Sequence, residues 1–236
     1  MKMRCRERVI YFKSADELKK MYEVYANFYK MMQADGKIYT CRNVADIYDK
    51  EFKASNIKSK PQALIIMMNP GSCEPKDKDY NIPNRTIDKL YKISINASSV
   101  LCKADNAQYQ IMRIMDIKKW KHIRIVNLSD IKCSNGDEFK DRLKGLQEID
   151  KKDMHSIFSS KRTMERDQAF LLESNAPIIL AWGIDKKLIH LARKCVQSIP
   201  MENCRGIKYD EYLYYYPSPL LKTGKEAWLH DISKIV

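Results

Sequence analysis

Two kinds of hydrophobic pattern alternate along this chain. From Ala63 to Met68 the residues are uniformly apolar, and Asn69, Pro70, Gly71 and Ser72 follow at once. A short apolar run without alternation reads as a strand buried on both faces, as in a parallel sheet. Ile123, Ile125 and Val126 predict a second strand ending near Asn127. Pro177–Trp182 predicts a third, stopped by Gly183, and Tyr212–Tyr216 a fourth, closed by Pro217. Between these runs the apolar spacing is helical. Ser14 and Glu17 form a capping-box pattern, and Leu18, Met21, Tyr22, Tyr25, Phe28, Tyr29 and Met32 share one helical face. They predict a helix over 14–35, with Gly36 beyond its end. Further helices are expected over 43–53, 84–95, 107–119, 185–197 and from Lys225 onward. Most of 130–175 also reads as helical, with a polar break at Ser134–Gly136. Strands alternating with helices give an α/β fold, a three-layer α/β/α arrangement around a central, mainly parallel four-stranded sheet. Residues 1–60 are expected to form an N-terminal helical extension packed on the core, and 61–236 the α/β domain.

Composition narrows the partner. The chain has 236 residues, 43 lysines and arginines against 30 aspartates and glutamates, and a net charge of +13. That excess is spread along the whole chain and suits a polyanion, most simply nucleic acid. A generically lysine-rich surface is the plainer account of the same number. No run is long enough for a membrane helix. The opening MKMRCRERVIYF lacks an apolar h-region, so no signal peptide is expected. The seven cysteines are scattered, odd in number and never paired as C-x-x-C, which suits reduced thiols and a cytoplasmic location. The four histidines form no metal-binding pattern, so neither a metal nor a cofactor is expected. With only 7 glycines there is no G-x-G-x-x-G and no Walker A loop, which removes the ordinary dinucleotide and nucleoside-triphosphate readings.

The four predicted strand ends carry Asn69-Pro70-Gly71-Ser72, Asn127-Leu128-Ser129, Ala181-Trp182-Gly183 and Tyr216-Pro217-Ser218-Pro219-Leu220. Parallel strands bring all four to one edge of the sheet, where open α/β folds bind ligands. This set, in this order, resembles the uracil-DNA glycosylase superfamily. There one strand ends in a water-activating motif, G-I-N-P-G in the mismatch-specific branch, to which MMNPGS is similar. A second ends in an Asn that reads the flipped base, as IRIVNL does with Asn127. A third ends like ILAWG. The closing His-Pro-Ser-Pro-Leu-Ser motif is matched by YPSPLLKTG, with Tyr216 in the place of the histidine. The likeness spans residues 63–224. An uncharacterised bacterial domain family shares several of these signposts.

The resemblance implies a monofunctional, monomeric DNA glycosylase that flips out a damaged, mismatched or modified base and leaves an abasic site, in repair or in antiviral defence. It implies Asn69 and Tyr216 as catalytic residues and Asn127 as the base reader. Pro70, Gly71, Ser72, Pro217, Ser218, Leu220 and Lys222 would grip DNA, Leu220 as an apolar wedge. Each has a plainer reading too: Asn69 and Asn127 as turn residues, Leu220 as core, Lys222 as a solvated charge. Asn69 stands where an Asp would activate water more strongly, and Tyr216 is a weaker substitute for a cationic His. Asp77 or Asp79 could supply a carboxylate, although a solvated loop explains both. The alternative function is a noncatalytic nucleic-acid-binding module. An amino-methyltransferase is disfavoured because Gly71 and Ser72 break its Asn-Pro-Pro-aromatic motif.

Overall fold

The structure, a computed structural model, describes residues 11–32, 36–53, 59–86, 99–150 and 152–236. Helix α1, Ala15–Met21, starts at the predicted capping box, with Glu17 N donating to Ser14 Oγ at 3.2 Å and Ser14 N to Glu17 Oε2 at 2.7 Å. It lasts only seven residues. The expected helix over 14–35 gives way to strand β1, Tyr22–Met32, and the one over 43–53 to strand β2, Ile38–Asp49, with a short α2, Lys50–Lys53. The expected helical extension is therefore largely a long antiparallel hairpin. Its register runs from Tyr22↔Asp49 to Met32↔Ile38, with an irregularity at Asn27/Phe28.

The chain continues with β3 (Leu64–Met67), β4 (Glu74–Pro75), β5 (Asn84–Thr86), β6 (Val100–Lys103), α3 (Asn106–Lys118) and β7 (His122–Asn127). Then come α4 (Gly136–Ile149), α5 (Thr163–Ala169), β8 (Ile178–Leu180), α6 (Ile189–Gln197), β9 (Cys204–Arg205) and α7 (Lys222–Ile235). The helix expected over 84–95 begins instead as β5, and its remainder lies outside the described residues. The expected strand Tyr212–Tyr216 does not form. Tyr214 makes only isolated bridges to Gly183 and Lys208, and β9 is the last strand of that side.

Among the described residues the result is a mixed α/β fold on a nine-stranded sheet, ordered β4-β6-β1-β2-β7-β3-β8-β9, with β5 beside β1. Strands β7, β3, β8 and β9 are mutually parallel. The antiparallel hairpin joins them through β2 and β7, Ala45↔Ile125 to Tyr48↔His122. The sheet is thus half antiparallel where a mainly parallel one was expected. Both its faces are buried. Ile65, Met67, Ile123 and Ile125 pack with Ile111 and Met115 of α3 and Trp228 and Ile232 of α7. On the other face, Leu64, Ile66, Val126 and Leu128 meet Phe139 and Leu143 of α4 and Leu191 of α6. Two-sided burial is why β3 reads as an unbroken apolar run.

Candidate functional site

Parallel pairing of β3 with β7, Met67↔Asn127, sets the first two strand ends side by side. Backbone bonds from Leu128 N to Met67 O and Ser129 N to Met68 O carry the pairing past the strands. Asn69 is 7% exposed, and its Nδ2 donates to Cys133 O at 2.6 Å and Ile131 O at 3.4 Å. The amide is thereby oriented, and Oδ1 is the atom it can offer a ligand. Pro70 is buried, Gly71 takes φ +62°, and Ser72 is exposed. At the third end Trp182 is core, its Nε1 donating to Tyr212 O at 2.9 Å. Gly183 N donates to Tyr214 O at 2.8 Å, which carries the closing segment to the same edge.

That closing segment has a graded profile. Pro217 is buried, Tyr216 and Ser218 are half-buried, and Leu220 is 95% exposed. So Leu220 is not a core leucine. Lys222 begins α7 and is exposed, 3.6 Å from Glu226. Leu221 at the N-cap provides no side-chain cap, so the first amides of α7 remain open to an anion. Two bonds anchor the segment below: Trp228 Nε1 to Tyr215 O, 3.2 Å, and Gln110 Nε2 to Lys225 O, 2.7 Å. A cleft of about 620 Å³ opens beside it, lined by Gly183, Tyr215, Tyr216, Pro219 and Trp228 among others.

Among the described residues, ten buried side-chain polar atoms lack a hydrogen-bond partner, and six of them belong to Arg42, Gln108 and Asn127. These are Nε, Nη1 and Nη2 of Arg42, Nε2 of Gln108, and both amide atoms of Asn127. All three residues are 0% exposed. Buried polar groups are normally satisfied, and each orphan costs about 1–3 kcal/mol. Asn127 follows Ile123 and Ile125 on the sheet face covered by α3, the helix that carries Gln108. Arg42 enters from β2.

The electrostatics tie this face to the strand ends. Asp105 caps α3, its Oδ1 accepting from Gln108 N at 2.9 Å while Gln108 Oε1 accepts from Asp105 N at 3.0 Å. Its other oxygen, Oδ2, would lie 2.7 Å from a Cβ placed on Gly71, so any side chain there would have to displace the Asp105 carboxylate. Burial first, and then Asp105, push the Tyr216 phenol well above its ordinary range, with Arg42 opposing them. Tyr216 is therefore a neutral hydrogen-bond donor. The Cys73 thiol is pulled down, first by its hydrogen bond with Cys102, then by Arg42 and Gln108 against burial. The carboxylate at the Asn-Pro-Gly turn is thus Asp105. Asp77 and Asp79 are exposed, and Asp77 Oδ1 accepts from Asp79 N at 2.9 Å in a local turn.

The pattern of motifs missed Arg42, Asp105 and Gln108. Asp105 and Gln108 carry only a capping-box signal, and Arg42, between Cys41 and Asn43, carries none. A second polar cluster has the residues of a hydrolytic triad. Ser129 Oγ lies 2.9 Å from His155 Nδ1, and His155 Nε2 lies 3.8 Å from Asp153 Oδ1. All three are at most 2% exposed, and Asp153 is also held by His190 and Lys194. This buried cluster braces the strand end, with Ile131 N also donating to Ser129 Oγ at 3.3 Å. Nearby, Asp130 Oδ2 accepts from Tyr29 Oη at 2.8 Å and pairs with Arg162 at 2.7 Å.

Among the described residues no group of three or more His, Cys, Asp or Glu side chains is placed to hold a metal ion. No helix among them is long and apolar enough to cross a membrane. Comparison with protein-family models, curated proteins and solved structures finds no match for the chain.

Proposed function

We propose that this chain is a DNA glycosylase that binds a flipped-out base on the α3 face of its sheet and hydrolyses the N-glycosidic bond. The observation that carries the reading is Asn127: fully buried, at the carboxyl end of β7, with the donor and acceptor of its side chain both unpartnered among the described residues. An amide left open in this way is available to a ligand, and one donor beside one acceptor complements the edge of a base. Leu220 supports the reading from outside. A large apolar side chain almost wholly in water, on a proline-stiffened loop, suits a wedge that fills the vacated stack. The parallel half of the sheet, with helices on both faces, fits the uracil-DNA glycosylase-like architecture, and the +13 charge fits a DNA partner.

In this mechanism Asn69 Oδ1 and Asp105 hold the attacking water beneath the sugar. The C1′–N bond breaks with its electron pair leaving on the base. The water oxygen bonds to C1′, and its proton passes to the Asp105 carboxylate and on to solvent. The released base takes a proton from solvent, so one water is divided between sugar and base. Ser72, Ser218, Lys222 and the open amides of α7 hold the flanking phosphates.

The test is abasic-site formation on labelled duplexes, each with one candidate base: uracil, thymine opposite guanine, hypoxanthine, or hydroxymethylated or glucosylated cytosine. Wild type and Leu220→Ala are run together. Wild type should release at least one base. Leu220→Ala should release it about 10-fold or more slowly, the loss expected when an unstacked site costs a few kcal/mol to hold open. Release of no base, with salt-sensitive binding retained, would instead support a noncatalytic binding module.

A further inference from the structure

A cavity of about 420 Å³ opens where α1, the start of β1, β6 and α3 converge. It shares no lining residue with the cleft beside the closing segment. Its size is that of a small-ligand site. Around it stand Lys19, Lys50, Lys76 and Lys103, against the single carboxylate of Glu23, which accepts from the Tyr25 phenol at 2.9 Å. All four lysines are exposed. Lys19 pairs with Asp16 at 3.2 Å and Lys103 with Glu74 at 3.0 Å, surface pairs that hold little energy and exchange readily for another anion. Lys50 and Lys76 form no ion pair among the described residues. Behind this cationic rim the lining is apolar, with Val24, Leu101 and Met112. Tyr109 is half-buried beside them, and Lys19 Nζ lies 5.6 Å from its ring centroid.

A cationic rim over an apolar and aromatic lining fits an anion with a planar part. A nucleotide whose base is unpaired has that shape, with phosphates for the lysines and a π-face for Tyr109. A base stacked inside a duplex offers no free face to the ring, so the fit is to a single strand. The cavity is also joined to the candidate site by the chain itself. From Ser72 the backbone passes through β4 to Lys76, whose N donates to Leu101 O at 2.8 Å. That path spans at most about 14 Å, or about four nucleotide steps of a strand. On the other side β6 leads into Asp105, whose carboxylate faces Gly71.

We infer that this cavity is a second nucleic-acid subsite, which seats an unpaired nucleotide of the strand gripped at the Asn-Pro-Gly turn, its phosphates on Lys50 and Lys76 and its base on Tyr109. The chain therefore favours a target flanked by single-stranded DNA over one inside a continuous duplex. This rests on the DNA-binding part of the glycosylase reading and needs no bond to be cleaved.

The experiment measures fluorescence anisotropy of a labelled oligothymidine strand and of a blunt duplex of equal length over a range of salt, with thymidine monophosphate as competitor. Wild type is compared with Lys50→Ala/Lys76→Ala, Tyr109→Leu, Tyr109→Phe and a control pair, Lys161→Ala/Lys234→Ala, which removes the same charge from exposed lysines outside the cavity. Wild type should bind the strand about 10-fold or more tighter than the duplex. Lys50→Ala/Lys76→Ala should weaken the strand about 10-fold and reduce the slope of log affinity against log salt by about 1.4, two phosphate contacts at about 0.7 each. Tyr109→Leu should weaken it about 5-fold or more with the salt slope unchanged, and Tyr109→Phe should restore it. Duplex affinity in the cavity variants, and strand affinity in the control pair, should move by less than about threefold.

Equal losses on strand and duplex, or a control pair as damaging as the cavity pair, would show diffuse charge attraction and overturn the inference. A folded Tyr109→Leu that binds like wild type would overturn it too. If Tyr109→Leu does not fold, the salt slope of the lysine pair decides. Thymidine monophosphate should bind at least about 100-fold more weakly than the strand, which engages both sites at once. Comparable affinity would mark a site for free nucleotides and overturn the strand assignment. Base release is scored separately. This binding pattern without base release keeps the subsite and removes the glycosylase reading, and base release without the pattern does the reverse.

Discussion

Asn127 and Arg42 make opposite use of burial. Asn127 is neutral, so leaving its amide unpaired costs a modest amount. Leaving a guanidinium unpaired costs several times more. Neither side chain makes a hydrogen bond among the described residues, and this gives their substitutions an unusual signature. Asn127→Ala should leave the melting temperature unchanged or raise it, because no intramolecular bond is lost. It should also slow base release by about 10²-fold, as loss of a preorganised donor does. Thermal unfolding and single-turnover release on one preparation check both halves. A large drop in stability would mean the amide is satisfied in the folded protein. Asn127 was legible because it ends an apolar run in a recognisable order of motifs. Arg42 was not, because its meaning comes from the absence of a partner, which only the three-dimensional surroundings reveal.

Among elements, β3, β7 and β8 and helices α3, α6 and α7 follow from the apolar pattern, since each is long enough or uniform enough to have one period. Strand β1 misleads for a physical reason. Leu18 to Met32 satisfies the 3.6-residue spacing, yet Tyr22, Val24, Ala26 and Phe28 also satisfy a spacing of two. A central strand buried on both faces loses the alternation that would decide between them. The capping box at Ser14 is real but starts a helix of only seven residues. The turn after β3 yields a sharper expectation. Gly36 and Gly71 both have positive φ, +82° and +62°, but a Cβ would meet open space at the first and Asp105 Oδ2 at 2.7 Å at the second. Gly36→Ala should therefore cost about 1 kcal/mol, the backbone penalty alone. Gly71→Ala should cost about 2–3 kcal/mol and lower activity by displacing Asp105. Denaturant unfolding of the two variants would separate these values, and equal costs would remove the close approach from the argument.

For the whole molecule, the buried cluster behind the site makes stability depend on pH. Burial, the largest influence, lowers His155 to about 4 from an ordinary value near 6.5. The unfolded chain therefore binds the proton more readily than the folded one. The neutral histidine's contribution is complete above about pH 6.5 and is lost as pH falls toward 4, by about 3 kcal/mol in all. The wild-type melting temperature should fall across that window. His155→Gln should flatten this part of the profile, and an unchanged profile would show that His155 is not the group responsible. Because His155 supports Ser129 at 2.9 Å, two residues beyond Asn127, acid should loosen the candidate site before the sheet as a whole.

The β1–β2 hairpin also bears on the order in which the molecule assembles. Its strands are joined by a short connection, so its long ladder closes with little loop entropy and can form early. Strand β7 must then arrive from far along the sequence to pair with β2, Ala45 meeting Ile125 eighty residues later. Until it does, the edge of β2 stands open as a template for any other strand, which makes this juncture the point at which a folding chain is most exposed to aggregation. Arg42 rides on the early hairpin and Asn127 on the late strand, so the candidate site is completed only by the slow step.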